Sequence, residues 1–180
     1  IKLAPVVLSL KNDPRIDYKL LSTGQHKEML GQVMSLFDLD PDYDLRLMDR
    51  RPDLSQLTSL ILDNSKEILT EYRPDIVLVH GDTTTAFASC LASFYAGIPV
   101  GHVEAGLRTH NLFSPWPEEL NRKLIASMAT LHFAPTDAAK ANLLREAIVE
   151  NSIFVTGNTV IDSLFLSRKI TKNVRQKGAP

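Results

Sequence analysis

The stretch VLVHGDTTTAF, residues 77–87, runs from a β-branched apolar strand into helix-forming sequence, with Asp82 at the bend. A second stretch, PVGHVEAGLR at 99–108, repeats the arrangement one βα unit later, with Glu104 in the corresponding place. Short apolar strands alternating with helical patterns are the signature of a parallel sheet covered by helices. Outward from 77–87 the alternation continues in both directions. Upstream, PDLSQ opens a helix reaching about residue 72, with Asp53 as N-cap and Gln56 closing a capping box. Residues 26–37 form a helix, with Met29, Leu30, Val33, Met34 and Phe37 at helical spacing. YKLLST at 18–23 is expected to be a strand and 1–10 a helix.

Downstream, the pattern predicts strand 76–80, helix 84–95, strand 99–104, helix 117–129, strand 131–135, helix 136–147, strand 153–157 and helix 158–167. Proline suits the first turn of the 117–129 helix. The fold class is doubly wound α/β. Because the first segment is helical, an opening strand is expected upstream of Ile1. The basic tail SRKITKNVRQK, residues 167–177, is expected to be a solvated helix end running into a linker.

Composition narrows the function. The 180 residues are 44% apolar and 23% charged with a net charge of −1, so no bulk charge draws the chain to nucleic acid or an anionic membrane. No apolar run approaches the roughly 20 residues of a membrane-spanning helix. The single cysteine, Cys90, lies in an apolar helical pattern and is expected to be buried and reduced. GxGxxG and P-loop motifs are both missing, which leaves no argument for nicotinamide or ATP and calls for no cofactor.

Ligands of open α/β sheets bind beyond the carboxyl ends of the strands. Asp82 and Glu104 both follow a strand, and the two strands are joined by one helix, so they are expected to be parallel neighbours. Gly81 and Gly106 permit tight turns beside them. Asp82 has two open roles, capping the following helix or doing chemistry. Capping explains less of Glu104, which is followed by Ala-Gly. Glu118 and Glu119 open the 117–129 helix, where acids also serve the helix dipole. Arg122, four residues beyond Glu118, could pair with it or hold an anion. His80, Asp82, His102 and Glu104 raise a rival, a metal-dependent hydrolase, if both histidines point to one side. Packed, hydrogen-bonded histidines are the plainer alternative.

At HGDTTT, GHVEAGLRT, SPWPEELNR and FVTGNTVIDSL the sequence resembles the non-hydrolysing bacterial UDP-N-acetylglucosamine 2-epimerases over essentially its whole length. The resemblance implies a Rossmann-like domain forming one half of a GT-B-like two-domain fold. On that basis residues 1–168 are expected to be the N-terminal domain lacking its first strand, and 169–180 a linker toward an absent C-terminal domain. It implies epimerisation of UDP-N-acetylglucosamine at C2 by elimination and re-addition of UDP, in a cytoplasmic homodimer. This piece alone is then expected to be inactive, and a non-catalytic nucleotide-sugar-binding fragment is the further alternative. Asp82, Glu104 and Glu118 match the family's catalytic acids. Lys2 matches a substrate-contacting lysine, and Arg122 a residue that orders the acids or the diphosphate. Gln25 and His26 match the segment where some members bind a second, activating UDP-N-acetylglucosamine.

Overall fold

The computed structural model describes residues 1–24 and 27–177. In chain order the elements are α1 (Ala4–Lys11), β1 (Leu21–Ser22), α2 (Lys27–Phe37), β2 (Tyr43–Asp44), a 3₁₀ turn (Leu47–Arg50) and α3 (Leu54–Tyr72). Then follow β3 (Val77–His80), α4 (Thr84–Tyr95), β4 (Val100–Val103), α5 (Glu118–Met128), β5 (Leu131–Ala134) and α6 (Asp137–Arg145). A second 3₁₀ turn (Glu150–Ser152), β6 (Ile153–Val155) and α7 (Thr159–Lys177) complete them. The chain divides into two compact units, one of Ile1–Arg50 with the chain from Asn158 onward, the other of Arg51–Gly157.

In the first unit β1 and β2 pair in parallel over two residues each. The strand expected over 18–23 is therefore much shorter, and β2 was not foreseen. Ala4, Val7, Phe37 and Leu39 are buried together, with Leu166 and Ile170 of α7 packed against them. Leu166 and Ile170 hold this part of α7 against the core, and the helix continues as far as Lys177.

The second unit follows the sequence pattern closely. Its four strands run in the order β3-β4-β5-β6, all parallel. Consecutive order with a helix in each crossover is the arrangement a right-handed βαβ chain gives. The capping box at the start of α3 is present: Gln56 N donates to Asp53 Oδ1 at 2.8 Å, and Asp53 N to Gln56 Oε1 at 3.1 Å. Where α4 and α5 meet the sheet, Val79 and Val100 of the strands, Ala86 and Cys90 of α4 and Ile125 of α5 form one core cluster. Cys90 is fully buried there, and burial pushes its thiol up to about 12. Around α6 the core is built of small residues, Ala105, Ala126, Ala134 and Ala139, with Leu143 and Ile153. They let the helix approach so closely that a Cβ on Gly106 would lie 2.3 Å from the Ala139 carbonyl oxygen. Gly106 has φ +86 and accepts at its carbonyl from Asn142 Nδ2 at 2.9 Å, so the turn after β4 is locked onto α6.

Candidate active site

β3 and β4 end side by side, with His80 opposite Val103 and Gly81 N donating to the Val103 carbonyl at 3.0 Å. Both acids of the opening motif stand just past this edge. Gly81 turns the chain at φ +70, and Asp82 follows. The helix cap is its neighbour: the Thr83 hydroxyl accepts from Ala86 N at 3.2 Å. Capping is thus not the work of Asp82, whose side chain turns to α5 and accepts from Arg122 Nε at 2.8 Å. The Asp82 carbonyl also accepts from Asn121 Nδ2 at 2.9 Å.

Glu104 occupies the left-handed region at φ +67, an uncommon place for a residue with a side chain. Its Oε2 lies 3.6 Å from His80 Nε2. A Cβ placed on Gly81 would be 3.7 Å from the same oxygen, so the Glu104 carboxylate sits against the turn that carries Asp82.

Glu118 is half-buried at the first position of α5. Arg122 turns to the next acid rather than to Glu118: its Nη1 donates to Glu119 Oε2 at 3.0 Å. Glu119 is fully buried, and its Oε1 accepts from the His110 amide at 3.0 Å. Burial pushes the Glu119 carboxyl up, but the Thr109 and His110 amides and the Arg122 guanidinium outweigh it and hold the group below its ordinary value. Burial likewise works against the charge on Arg122, and Glu119 and Asp82 together more than restore it. Sequence reasoning grouped Glu119 with Glu118 as a dipole acid. Both acids lie one helical turn from Arg122, at i,i+4 and i,i+3, so spacing alone does not separate them; the long-range bond from the His110 amide and the burial of Glu119 do.

The metal reading fails on register. His102 lies opposite Val79, not His80, and side chains alternate along a strand, so the two histidines point to opposite faces of the sheet. His102 is fully buried, and its Nε2 donates to the Gly81 carbonyl at 2.8 Å. Burial brings its imidazole down to about 4, so it stays neutral. Among the described residues no group of three or more His, Cys, Asp or Glu side chains is arranged to hold a metal.

Arg108 was also missed. It grips Glu146 with two bonds, Nε to Oε1 at 2.9 Å and Nη2 to Oε2 at 2.7 Å, tying the loop after β4 to the end of α6. Lys2 lies just ahead of α1 in the first unit. Gln25 and His26 fall outside the described residues. No helix among the described residues is long and apolar enough to cross a membrane.

Fold and site together define a Rossmann-like α/β protein that presents carboxylates from its strand-end loops. Residues 8–179 match the family model described as UDP-N-acetylglucosamine 2-epimerase, and the chain belongs to that family. It is 56% identical over 168 residues to the UDP-N-acetylglucosamine 2-epimerase of Salmonella typhimurium, covering 93% of this chain and 45% of that protein. The chain spans about half the length of the curated relatives it matches. A crystal structure of the Neisseria meningitidis UDP-GlcNAc 2-epimerase bound to UDP-GlcNAc superposes with a TM-score of 0.91 at 50% identity, over 98% of this chain and 49% of that one. The Methanocaldococcus jannaschii enzyme in complex with UDP-GlcNAc and UDP gives 0.88 at 37% identity, over 97% and 49%. Both are GT-B-like structures, and this chain has the fold of the half that it covers.

Proposed function

We propose that this chain supplies the acid-bearing half of an enzyme that interconverts UDP-N-acetylglucosamine and UDP-N-acetylmannosamine. The observation that carries the proposal is the setting of Asp82 and Glu104 past the ends of two adjacent parallel strands, in a chain of the epimerase family. Relatives solved with UDP-GlcNAc or UDP support the substrate class.

The chemistry requires such groups. The C2 proton of the sugar has no neighbouring carbonyl, so simple deprotonation would leave an unstabilised carbanion. Elimination avoids it: a base takes the C2 proton, the C1–O bond breaks with its electron pair leaving on UDP, and a C1=C2 double bond forms. Re-addition reverses the bonds, with a proton delivered to the opposite face of C2 and a diphosphate oxygen joining C1. Positive charge develops at C1 on the way, which nearby carboxylates stabilise, and proton transfer needs an acid and a base. Asp82, Glu104 and Glu118 are the groups assigned to these tasks, with Lys2 on the substrate and Arg122 ordering the acids. The route is redox-neutral and needs no cofactor. The functional form is taken to be a cytoplasmic homodimer, in which Gln25 and His26 belong to a second, activating nucleotide-sugar site.

Turnover of UDP-N-acetylglucosamine by the full-length protein in heavy water tests the proposal. One deuterium is expected at C2 of both epimers. Epimerisation without that label would overturn the elimination route, and absence of epimerisation would overturn the assignment.

A further inference from the structure

A first-turn acid can serve a helix dipole without leaving solvent, whereas Glu119 is fully buried in the second position of α5. An ionised carboxylate is costly to bury unless its oxygens are bonded to strong donors. The donors here come from two different places. Oε1 takes the amide of His110, whose φ of +62 puts that residue of the β4–α5 loop in the left-handed region. Oε2 takes Arg122 Nη1, and the same guanidinium passes Nε to Asp82 Oδ2. One side chain therefore joins the loop that begins at Glu104 to the acid that follows β3.

The charge count adds to this. Arg122 carries one positive charge against two bonded carboxylates, and its side chain is only 15% exposed. A guanidinium engaged on both edges has little left to offer a diphosphate; its planar fork is filled by acids of the protein itself.

We propose that Glu119 is a positioning residue: through Arg122 it fixes the Asp82 carboxylate, and through the His110 amide it fixes the β4–α5 loop relative to that carboxylate. Arg122 acts on the reaction through Asp82 and is not a diphosphate ligand. The proposal rests on the epimerase reading for its kinetic test but not for its geometry.

The test is a split of kcat from KM in the full-length protein. In Glu119→Gln the shape is kept and the charge removed. Because displacement of a reacting group by about an ångström can cost about 100-fold, kcat is expected to fall ~10–100-fold, with KM for UDP-N-acetylglucosamine changed less than about twofold. Arg122→Lys is expected to give the same pattern. Glu119→Asp keeps the charge on a shorter arm and should recover part of kcat, which also covers the case in which the glutamine variant folds poorly. A kcat equal to the parent's in folded Glu119→Gln or in Arg122→Lys overturns the proposal, as does a raised KM with kcat preserved. If the parent does not epimerise, the function assigned above fails, and solvent exchange of the Arg122 Nε proton decides the positioning role alone. With ¹⁵N-arginine labelling, that proton is expected to exchange at least about tenfold faster in Glu119→Gln, since the open state in which its bond to Asp82 is broken is then easier to reach. An unchanged exchange rate overturns the proposal.

Discussion

The turns after β3 and β4 begin from the same sequence device and end in different environments. Each places an acid just beyond a parallel strand, and each is braced by the histidine of the other strand. His102 of β4 reaches the Gly81 carbonyl, while His80 of β3 faces the Glu104 carboxylate at 3.6 Å. The first imidazole is sealed and neutral and fixes backbone. The second faces a carboxyl group. Asp82 has an ordinary backbone and a side chain held by Arg122, whereas Glu104 has a left-handed backbone and leans on a glycine turn. The difference shows that position and charge are set separately: one turn is immobilised through its carbonyls, the other through the conformation of the acid itself.

The sharpest way to break that comparison is to neutralise each acid in the full-length protein. Asp82→Asn and Glu104→Gln are each expected to lower kcat by roughly 10²–10⁴-fold, the usual range for removing a proton donor or acceptor. Steady-state turnover of UDP-N-acetylglucosamine measures it. If only one of the two falls, the turns do not share a reaction.

A smaller effect separates the two imidazoles. His102 has a folded-state value of about 4, below the ordinary 6.5, so the folded protein resists a proton that the unfolded chain accepts. Its contribution to stability is therefore complete above about pH 6.5 and is lost as the pH falls toward 4. Between pH 7 and pH 5 the loss is expected to be about 2 kcal/mol, and His102→Gln, which retains a donor for Gly81, should remove it. Urea unfolding of both proteins at the two pH values reads the difference. An undiminished pH dependence in the variant would show that the titrating group lies elsewhere.

The smallest effect concerns the cap. Thr83→Ala should cost about 1 kcal/mol of stability with kcat/KM nearly unchanged, because Thr83 and not Asp82 closes the start of α4. Thermal unfolding alongside the assay checks it.

Much of this was legible in the residues. The capping box of Asp53 and Gln56, the strand at Val77–His80 and the helix at Thr84–Tyr95 follow from local chemistry, and the structure has them where the pattern puts them. The parts that were not legible depend on neighbours far along the chain. Whether His80 and His102 share a face depends on a one-residue stagger between strands, which no single strand encodes. Asp82 and Glu119 meet on Arg122 only because α5 lies across the end of β3, 40 residues away in sequence from the acid it holds. In the first unit, β1 and β2 pair over two residues each, too few for alternation to mark their limits.

The sealing of Cys90 on the inner face of α4 has a practical consequence. A thiol titrating near 12 holds almost no thiolate at neutral pH, so maleimides and mild oxidants find nothing to react with. A fluorophore or spin label can be placed at a cysteine introduced on the surface, for instance in place of the exposed Tyr95, while the native sulfur stays silent and untouched.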